Sequence, residues 1–292
     1  MLTSTSTFLS IRGLRYHVRQ WGRVGAPQVF MLHGWMDMSA TFQFVVEALR
    51  QDWHVLAPDW RGFGQTDCAP AYWFPDYLAD LDALLAHYQP DTPVRLVGHS
   101  MGGNVAMFYA GIRPERVARV ATLEGIGLPS ISPQRAPARY ARWLTQQREP
   151  LPKMGQYASL AMAAARLQQQ NPRLTAAQAN FLATEWAQSI QVAQTPMWSW
   201  QADPKHKWVN PILFRLDEML ACWQQISAPV LWVTGENSDF LADVKRSGDY
   251  DLRWQALSNV TQVMLENAGH LLQRDQPAQL AKHIESFFEP TR

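Results

Sequence analysis

The sequence predicts an α/β protein built on a mainly parallel sheet, and three observations predict it. Short apolar runs alternate with helical stretches toward both ends of the chain, the rhythm of strands lying side by side under helices on both faces. A Gly-x-Ser-x-Gly pentapeptide, Gly98-His99-Ser100-Met101-Gly102, stands directly after the apolar run Val94-Arg95-Leu96-Val97 and before a helix beginning near Met101. Between residues 129 and 225 the rhythm breaks, and prolines and helical stretches replace buried strands.

Phe8 to Trp21 alternates loosely and reads as one or two opening strands, with Arg12-Gly13 as the turn. Val29-Phe30-Met31-Leu32 is a buried strand ending at His33-Gly34, and Thr41 to Arg50 fits a connecting helix. Val55-Leu56-Ala57 is the next strand, stopped by Pro58-Asp59. Leu78, Leu81, Leu85 and Tyr88 fall on one face of a helix that follows Pro75. Val94 to Val97 and Val117 to Leu123 are the strands on either side of the pentapeptide helix. Val230-Leu231-Trp232-Val233 and Val263-Met264-Leu265 complete the set, and a closing helix carries Leu280, Ile284, Phe287 and Phe288.

The intervening stretch opens with Pro129, Pro133 and Pro137. Thr175-Ala176-Ala177-Gln178 is a capping box, and Leu182, Trp186 and Ile190 follow at four-residue spacing. The expected division is therefore a core of residues 1–128 and 226–292 with a helical lid over 129–225. Trp143, Trp186, Trp198, Trp200 and Trp208 of that lid would shape an apolar pocket and exclude water. The 13 Trp and 11 Met suit such a pocket and suit plain core packing equally well.

Composition sets the outer bounds. A chain of 292 residues, 47% hydrophobic and 17% charged, is long enough for one large domain or a domain with an insertion. A net charge of +1 gives no field that would favour nucleic acid or an anionic membrane. Cys68 and Cys222 neither cluster nor show metal-ligand spacing, so neither a structural disulfide nor a zinc site is expected. The first residues show no basic start followed by an apolar stretch, and no run approaches the ~20 apolar residues of a membrane span. The expectation is a soluble cytoplasmic protein, monomer or homodimer, whose partner is a small molecule and which needs no metal or organic cofactor.

A serine on a tight strand-to-helix turn is the setting of a nucleophile elbow. Its hydroxyl needs a base, and His270 in Glu266-Asn267-Ala268-Gly269-His270-Leu271 follows the last strand, on the sheet edge where the loops converge. The imidazole in turn needs a carboxylate to fix its tautomer. Asp239, in the loop after the Val230 to Val233 strand, is the expected acid, in the chain order Ser, Asp, His; Glu236 and Glu124 are the competitors. The oxyanion would be held by the backbone N–H groups of Met101 and Trp35. His33 and His99 would tie down loops beside the site, and Trp35, His99, Met101 and Trp143 are the expected substrate contacts.

His33-Gly34-Trp35, Asp59-Trp60-Arg61-Gly62-Phe63-Gly64, Gly98 to Gly103, Gly235 to Asp239 and Gly269-His270, taken together and in this order, resemble a capped, single-domain α/β-hydrolase-fold enzyme. The resemblance implies an eight-stranded core sheet with a helical cap after the sixth strand. It also implies a place among the serine-hydrolase-like proteins, near the esterases and the carbon–carbon bond hydrolases. One departure stands out: many relatives carry the acid three residues after the loop glycine, where this chain has Ser238. A serine elbow argues against epoxide hydrolysis and dehalogenation, which use a carboxylate there. Hydrolysis of an ester or thioester of a small, largely apolar substrate is the expected reaction. The alternatives are a carbon–carbon bond hydrolase acting on a vinylogous diketone acid, with Arg135, Arg139 or Arg142 receiving the carboxylate, and a non-catalytic receptor that closes its lid on a small molecule.

Overall fold

Eleven strands and eleven α-helices follow one another in the computed structural model, which describes residues 1–289. Strands β1 (Thr5–Ile11) and β2 (Leu14–Trp21) form a hairpin closed by Arg12 and Gly13. Both turn residues have positive φ, 48° and 84°, the hand of turn that matches the twist of the paired strands. The chain continues through β3 (Gln28–Leu32), α1 (Gln43–Ala48), β4 (His54–Pro58), α2 (Phe74–Tyr88), β5 (Val94–His99), α3 (Met101–Ile112) and β6 (Val117–Leu123). After a long excursion it returns to the last two strands of the same sheet.

The excursion holds α4 (Ala136–Gln146), β7 (Gln156–Tyr157), α5 (Leu160–Gln170), α6 (Ala176–Trp186), β8 (Ala187–Val192), β9 (Thr195–Trp200) and α7 (Leu216–Trp223). Then come β10 (Val230–Gly235), α8 (Asp239–Arg246), α9 (Tyr250–Gln255), β11 (Val260–Leu265), α10 (Leu272–Asp275) and α11 (Pro277–Phe288). The main sheet has eight strands in the order β1-β2-β4-β3-β5-β6-β10-β11. Only the β1–β2 and β2–β4 pairs are antiparallel; the rest are parallel.

Alternate residues of the central strands feed two cores. Leu96, Val120 and Trp232 face one layer with Tyr16, Leu81, Val105 and Trp223. Their neighbours Val97, Ala121 and Val233 face the other, with Trp21, Met31, Ile284 and Phe288. A strand buried on both faces in this way reads as a continuous apolar run, which is why these strands are visible in the sequence.

The excursion differs from a purely helical lid. It contains a three-stranded antiparallel sheet in the order β7-β9-β8. Ile190, expected on the face of α6, lies on β8 instead, because the helix ends at Trp186 and Ala187 is extended. These strands escape detection for two reasons. β8 buries only its first residue, Ala187, so it carries no apolar run. The β8–β9 turn is made by Ala193 and Gln194, at φ 46° and 66°, with none of the glycine or asparagine that marks such a turn. The capping box of α6 forms: Thr175 accepts the Gln178 N–H, and the Gln178 side chain accepts the Thr175 N–H.

A third apolar cluster joins the excursion to the core, with Leu167, Leu182, Trp186 and Trp200 packed with Met38 and Phe44. The Asp59–Gly64 loop latches its far end. Gly64 donates its N–H to the Gln201 carbonyl, and Asp203 donates to the Gly62 carbonyl, each at 2.8 Å. Among the described residues no helix is long and apolar enough to cross a membrane.

Candidate active site

The serine sits on the turn between β5 and α3 with φ 50° and ψ −114°, a backbone geometry costly for any residue with a side chain. Neighbouring bonds hold it there: the Ser100 N–H reaches the Leu123 carbonyl at 2.8 Å, and the Ser100 carbonyl accepts the Asn104 N–H at 2.9 Å. Both flanking glycines are sterically required. A Cβ on Gly98 would lie 2.4 Å from the Gly102 carbonyl oxygen, and one on Gly102 would lie 2.2 Å from that of Leu32.

His270 reaches this serine from the loop between β11 and α10, with Nε2 at 3.0 Å from Ser100 Oγ. Its Nδ1 lies 2.7 Å from Glu124 Oε2. Glu124 follows the last residue of β6, is fully buried, and has φ 55°. Besides His270 it accepts the Gly235 N–H on Oε1 at 2.8 Å and the Ser238 hydroxyl on Oε2 at 2.5 Å. A buried carboxylate needs such donors, since an unpartnered charge away from water is very costly.

The expected acid, Asp239, is thereby corrected. Asp239 is exposed as the first residue of α8 and does not bond His270; Glu124 holds that place. The physical reason lies in the loop after Gly235. Ser238 turns inward, bonds Glu124 and caps α8 by accepting the Leu241 N–H at 3.2 Å. The helix therefore starts at Asp239, which turns outward and complements the helix N-terminus. Glu236 is exposed as well, and accepts the Asn267 N–H at 3.0 Å. The sequence did hold a signal for Glu124: it is a carboxylate directly abutting an apolar strand end, beside Gly125.

Two further histidines fix the loops around this chain of bonds. His99 Nε2 donates to the His270 carbonyl at 2.8 Å, and its Nδ1 accepts from Gln273. Burial pushes the His99 pKa well below its usual value, which keeps the ring neutral. His33 Nδ1 donates to the Gly34 carbonyl at 2.7 Å, and its Nε2 accepts the Trp60 N–H at 2.9 Å. Its pKa is also lowered by burial. Below them, Asp59 accepts the Ser39 N–H on Oδ1 at 2.7 Å and the Gln65 N–H on Oδ2 at 3.0 Å. Gly64, at φ 53°, leaves room for that carboxylate, which a Cβ would approach to 2.2 Å.

The loop after β3 passes close to the serine. A Cβ on Gly34 would lie 3.2 Å from Ser100 Cβ, so glycine permits the approach. Among the described residues no backbone carbonyl accepts the Trp35 N–H. Met101 begins α3, where an N–H has no acceptor within the helix.

A cavity of about 230 Å³ opens on this arrangement, with Trp35, Ser100, Leu167, Trp186, His270 and Arg274 in its wall. Of the expected substrate contacts, Trp35 and His99 line it; Met101 and Trp143 do not. Met101 is partly buried against the core, and Trp143 packs toward Trp73, the ring centroids 6.1 Å apart. Trp200 stacks behind Trp186 at 4.6 Å rather than entering the cavity. Arg135, Arg139 and Arg142 stand outside it, and the cation in its wall is Arg274, which the sequence did not single out. Among the described residues no three His, Cys, Asp or Glu side chains cluster as metal ligands would.

The family model for the alpha/beta hydrolase fold matches residues 27–277. A serine hydrolase-like protein of Danio rerio is 26% identical over 285 residues, covering 92% of this chain and 84% of that one. A serine hydrolase-like protein of Dictyostelium discoideum is 23% identical over 288 residues, covering 95% and 79%. Among solved structures, the thioesterase domain from the curacin biosynthetic pathway superposes with a TM-score of 0.85 at 25% identity, over 97% of this chain and 99% of that one. An esterase of M. tuberculosis, 18% identical, superposes with a TM-score of 0.71 over 98% and 92%, a likeness of fold. With the match running from β3 to α11, across the serine turn and the histidine loop, the chain belongs to the α/β-hydrolase fold family.

Proposed function

We propose that the protein hydrolyses carboxylic esters or thioesters of small substrates through an acyl-enzyme on Ser100. The observation that carries this reading is the unbroken line from Ser100 Oγ to His270 Nε2 at 3.0 Å and from His270 Nδ1 to Glu124 Oε2 at 2.7 Å, at the wall of a cavity. His270 takes the serine proton as the hydroxyl attacks the carbonyl, then returns it to the departing alcohol or thiol. In the second half it activates water against the acyl-enzyme. Glu124 fixes the imidazole tautomer and stabilises the imidazolium that forms twice per cycle. The N–H groups of Trp35 and Met101 receive the oxyanion. Residues 129–225 serve as the lid, a role supported by Leu167, Gln170, Asn171 and Trp186 in the cavity wall. The names of the relatives support the same chemistry: two serine hydrolase-like proteins and a thioesterase domain.

The test is labelling with a fluorophosphonate probe, with the adduct located by peptide mass spectrometry, followed by turnover of 4-nitrophenyl esters of increasing chain length. Labelling at Ser100 with turnover is the expected outcome, together with a loss of about 10⁴-fold or more in kcat for Ser100→Ala. A folded protein that leaves Ser100 unlabelled and hydrolyses none of the esters contradicts the proposal.

A further inference from the structure

The loop that carries His270 is held from two sides. His99, in the core, donates to the His270 carbonyl at 2.8 Å. On the other side Asp275, in α10, accepts the N–H of Gly269, the residue before His270, on Oδ2 at 2.8 Å. The Asp275 side chain is only 2% exposed, and a buried carboxylate needs more than one donor. Among the described residues its remaining side-chain partners belong to the turn between α5 and α6. Asn171 Nδ2 donates to Asp275 Oδ1 at 2.7 Å, and Arg173 Nη1 stands 3.9 Å from Oδ2.

The same turn reaches the loop on the acid's side. Arg173 Nη2 donates to Asn237 Oδ1 at 3.1 Å. Asn237 precedes Ser238, the donor to Glu124, and its own N–H bonds the Ala268 carbonyl at 2.8 Å. These parts meet closely at Gly269, where a Cβ would lie 3.4 Å from both Arg173 Nη1 and Asp275 Oδ2. Asn171 is buried and lines the cavity at Ser100. One turn of the 129–225 segment therefore borders the cavity and also touches both loops that set His270 and its acid.

We propose that Asp275 is a positioning residue that couples the seating of the lid to the placement of His270. The inference rests on the acyl-enzyme and lid reading above. With the α5–α6 turn docked, Asn171 fixes the carboxylate, the carboxylate fixes the Gly269 N–H, and the imidazole is kept between Ser100 and Glu124. With the turn lifted, water replaces Asn171, and the bond to Gly269 competes with solvent. His270 serves in both the formation and the hydrolysis of the acyl-enzyme, so the coupling acts on kcat whichever half limits the rate.

The experiment measures 4-nitrophenyl acetate and hexanoate with the full chain, and the denaturant midpoint of each variant. Asp275→Asn leaves one acceptor oxygen for two N–H donors, and Asn171→Asp sets a second carboxylate against the first. Each is expected to lower kcat for acetate by about tenfold or more, with KM within about twofold of wild type. Combining Asn171→Asp with Asp275→Asn reverses the direction of the 2.7 Å bond and keeps an oxygen for Gly269. That pair should bring kcat back to within about threefold of wild type. A merely structural role would lower the denaturant midpoint and leave the kcat of the folded enzyme unchanged, which overturns the inference. So do losses that add in the double variant. A loss confined to KM, or one that grows from acetate to hexanoate, also overturns it, since it marks Asn171 as a wall contact to substrate. Arg173→Ala, at a side chain 39% exposed, decides the matter if the buried variants do not fold. A kcat lower by about threefold or more supports the coupling, and an unchanged kcat overturns it. In each of these failures, labelling and turnover by the wild type at Ser100 leave the hydrolase reading standing. Absence of label and of all turnover in the wild type overturns the two together.

Discussion

The ends of β6 and β10 lie side by side in the sheet, Leu123 opposite Val233, and each is followed by a carboxylate within reach of the same loop cluster. Glu124 comes immediately after β6, fully buried, at positive φ, with donors from Gly235, Ser238 and His270. Asp239 comes four residues after Gly235, exposed, at the first position of a helix. The two loops meet on the inward-facing Ser238, which bonds the acid of one and caps the helix of the other. The difference teaches that chain order locates the loops that converge, while strand adjacency and side-chain length decide which carboxylate arrives. The extra methylene of glutamate lets it cross from its own strand to the histidine without leaving the sheet edge.

The comparison breaks most decisively at Glu124. Glu124→Gln is expected to lower kcat by about 10³–10⁴-fold with little change in fold, since the amide holds the wrong tautomer of His270. Adding Ser238→Asp to that variant places a carboxylate on the β10 side of the same histidine, and should recover about tenfold or more of the loss. Steady-state kinetics on the single and double variants reads both; full activity in Glu124→Gln would return the acid to the β10 loop.

Ser238→Ala sharpens the comparison at the shared residue. It removes one donor to the buried carboxylate and the cap of α8, so a loss of about 1 kcal/mol in stability and about tenfold in kcat is expected. Chemical denaturation and kinetics on the same preparation separate the two effects.

Acid should weaken the same region through its histidines. Burial lowers the pKa values of His33 and His99 in the folded protein. Below about pH 6.5 the unfolded chain binds protons that the folded one excludes. Stability is therefore full above that value and falls as pH drops, by at most about 1.4 kcal/mol per pH unit for each histidine. Denaturant midpoints measured from pH 7.5 to 5.5 should decline; a midpoint independent of pH would show that these rings are not held neutral.

The smallest effect belongs to Asp239. Asp239→Asn should change kcat by less than about twofold and cost a few tenths of a kcal/mol, the value of an exposed charge at a helix N-terminus. A thousandfold loss there would reverse the assignment of the acid.

How much was legible follows the burial of each segment. β5 and the glycines about Ser100 stand out because a strand covered on both faces must be apolar, and because a Cβ at Gly98 or Gly102 would strike backbone. His270 was legible from its place after the last strand. The small sheet of the excursion was not, since β8 buries only its first residue and its hairpin turns on Ala193 and Gln194. Trp143 shows the same limit from the other side: an aromatic side chain fits a pocket or a packed surface equally well, and here it packs toward Trp73.

By itself the sequence determined the α/β alternation, the serine turn and the histidine loop, because hydrophobic periodicity and steric need for glycine are properties of local chain segments. Only the tertiary structure decided that Glu124 rather than Asp239 meets His270, and that Arg274 rather than the arginines of α4 and its approach stands in the cavity wall. Those outcomes depend on which strands become neighbours and on which way a loop residue turns. Both are settled by packing between segments far apart in the chain, here by Ser238 reaching across 114 positions to Glu124.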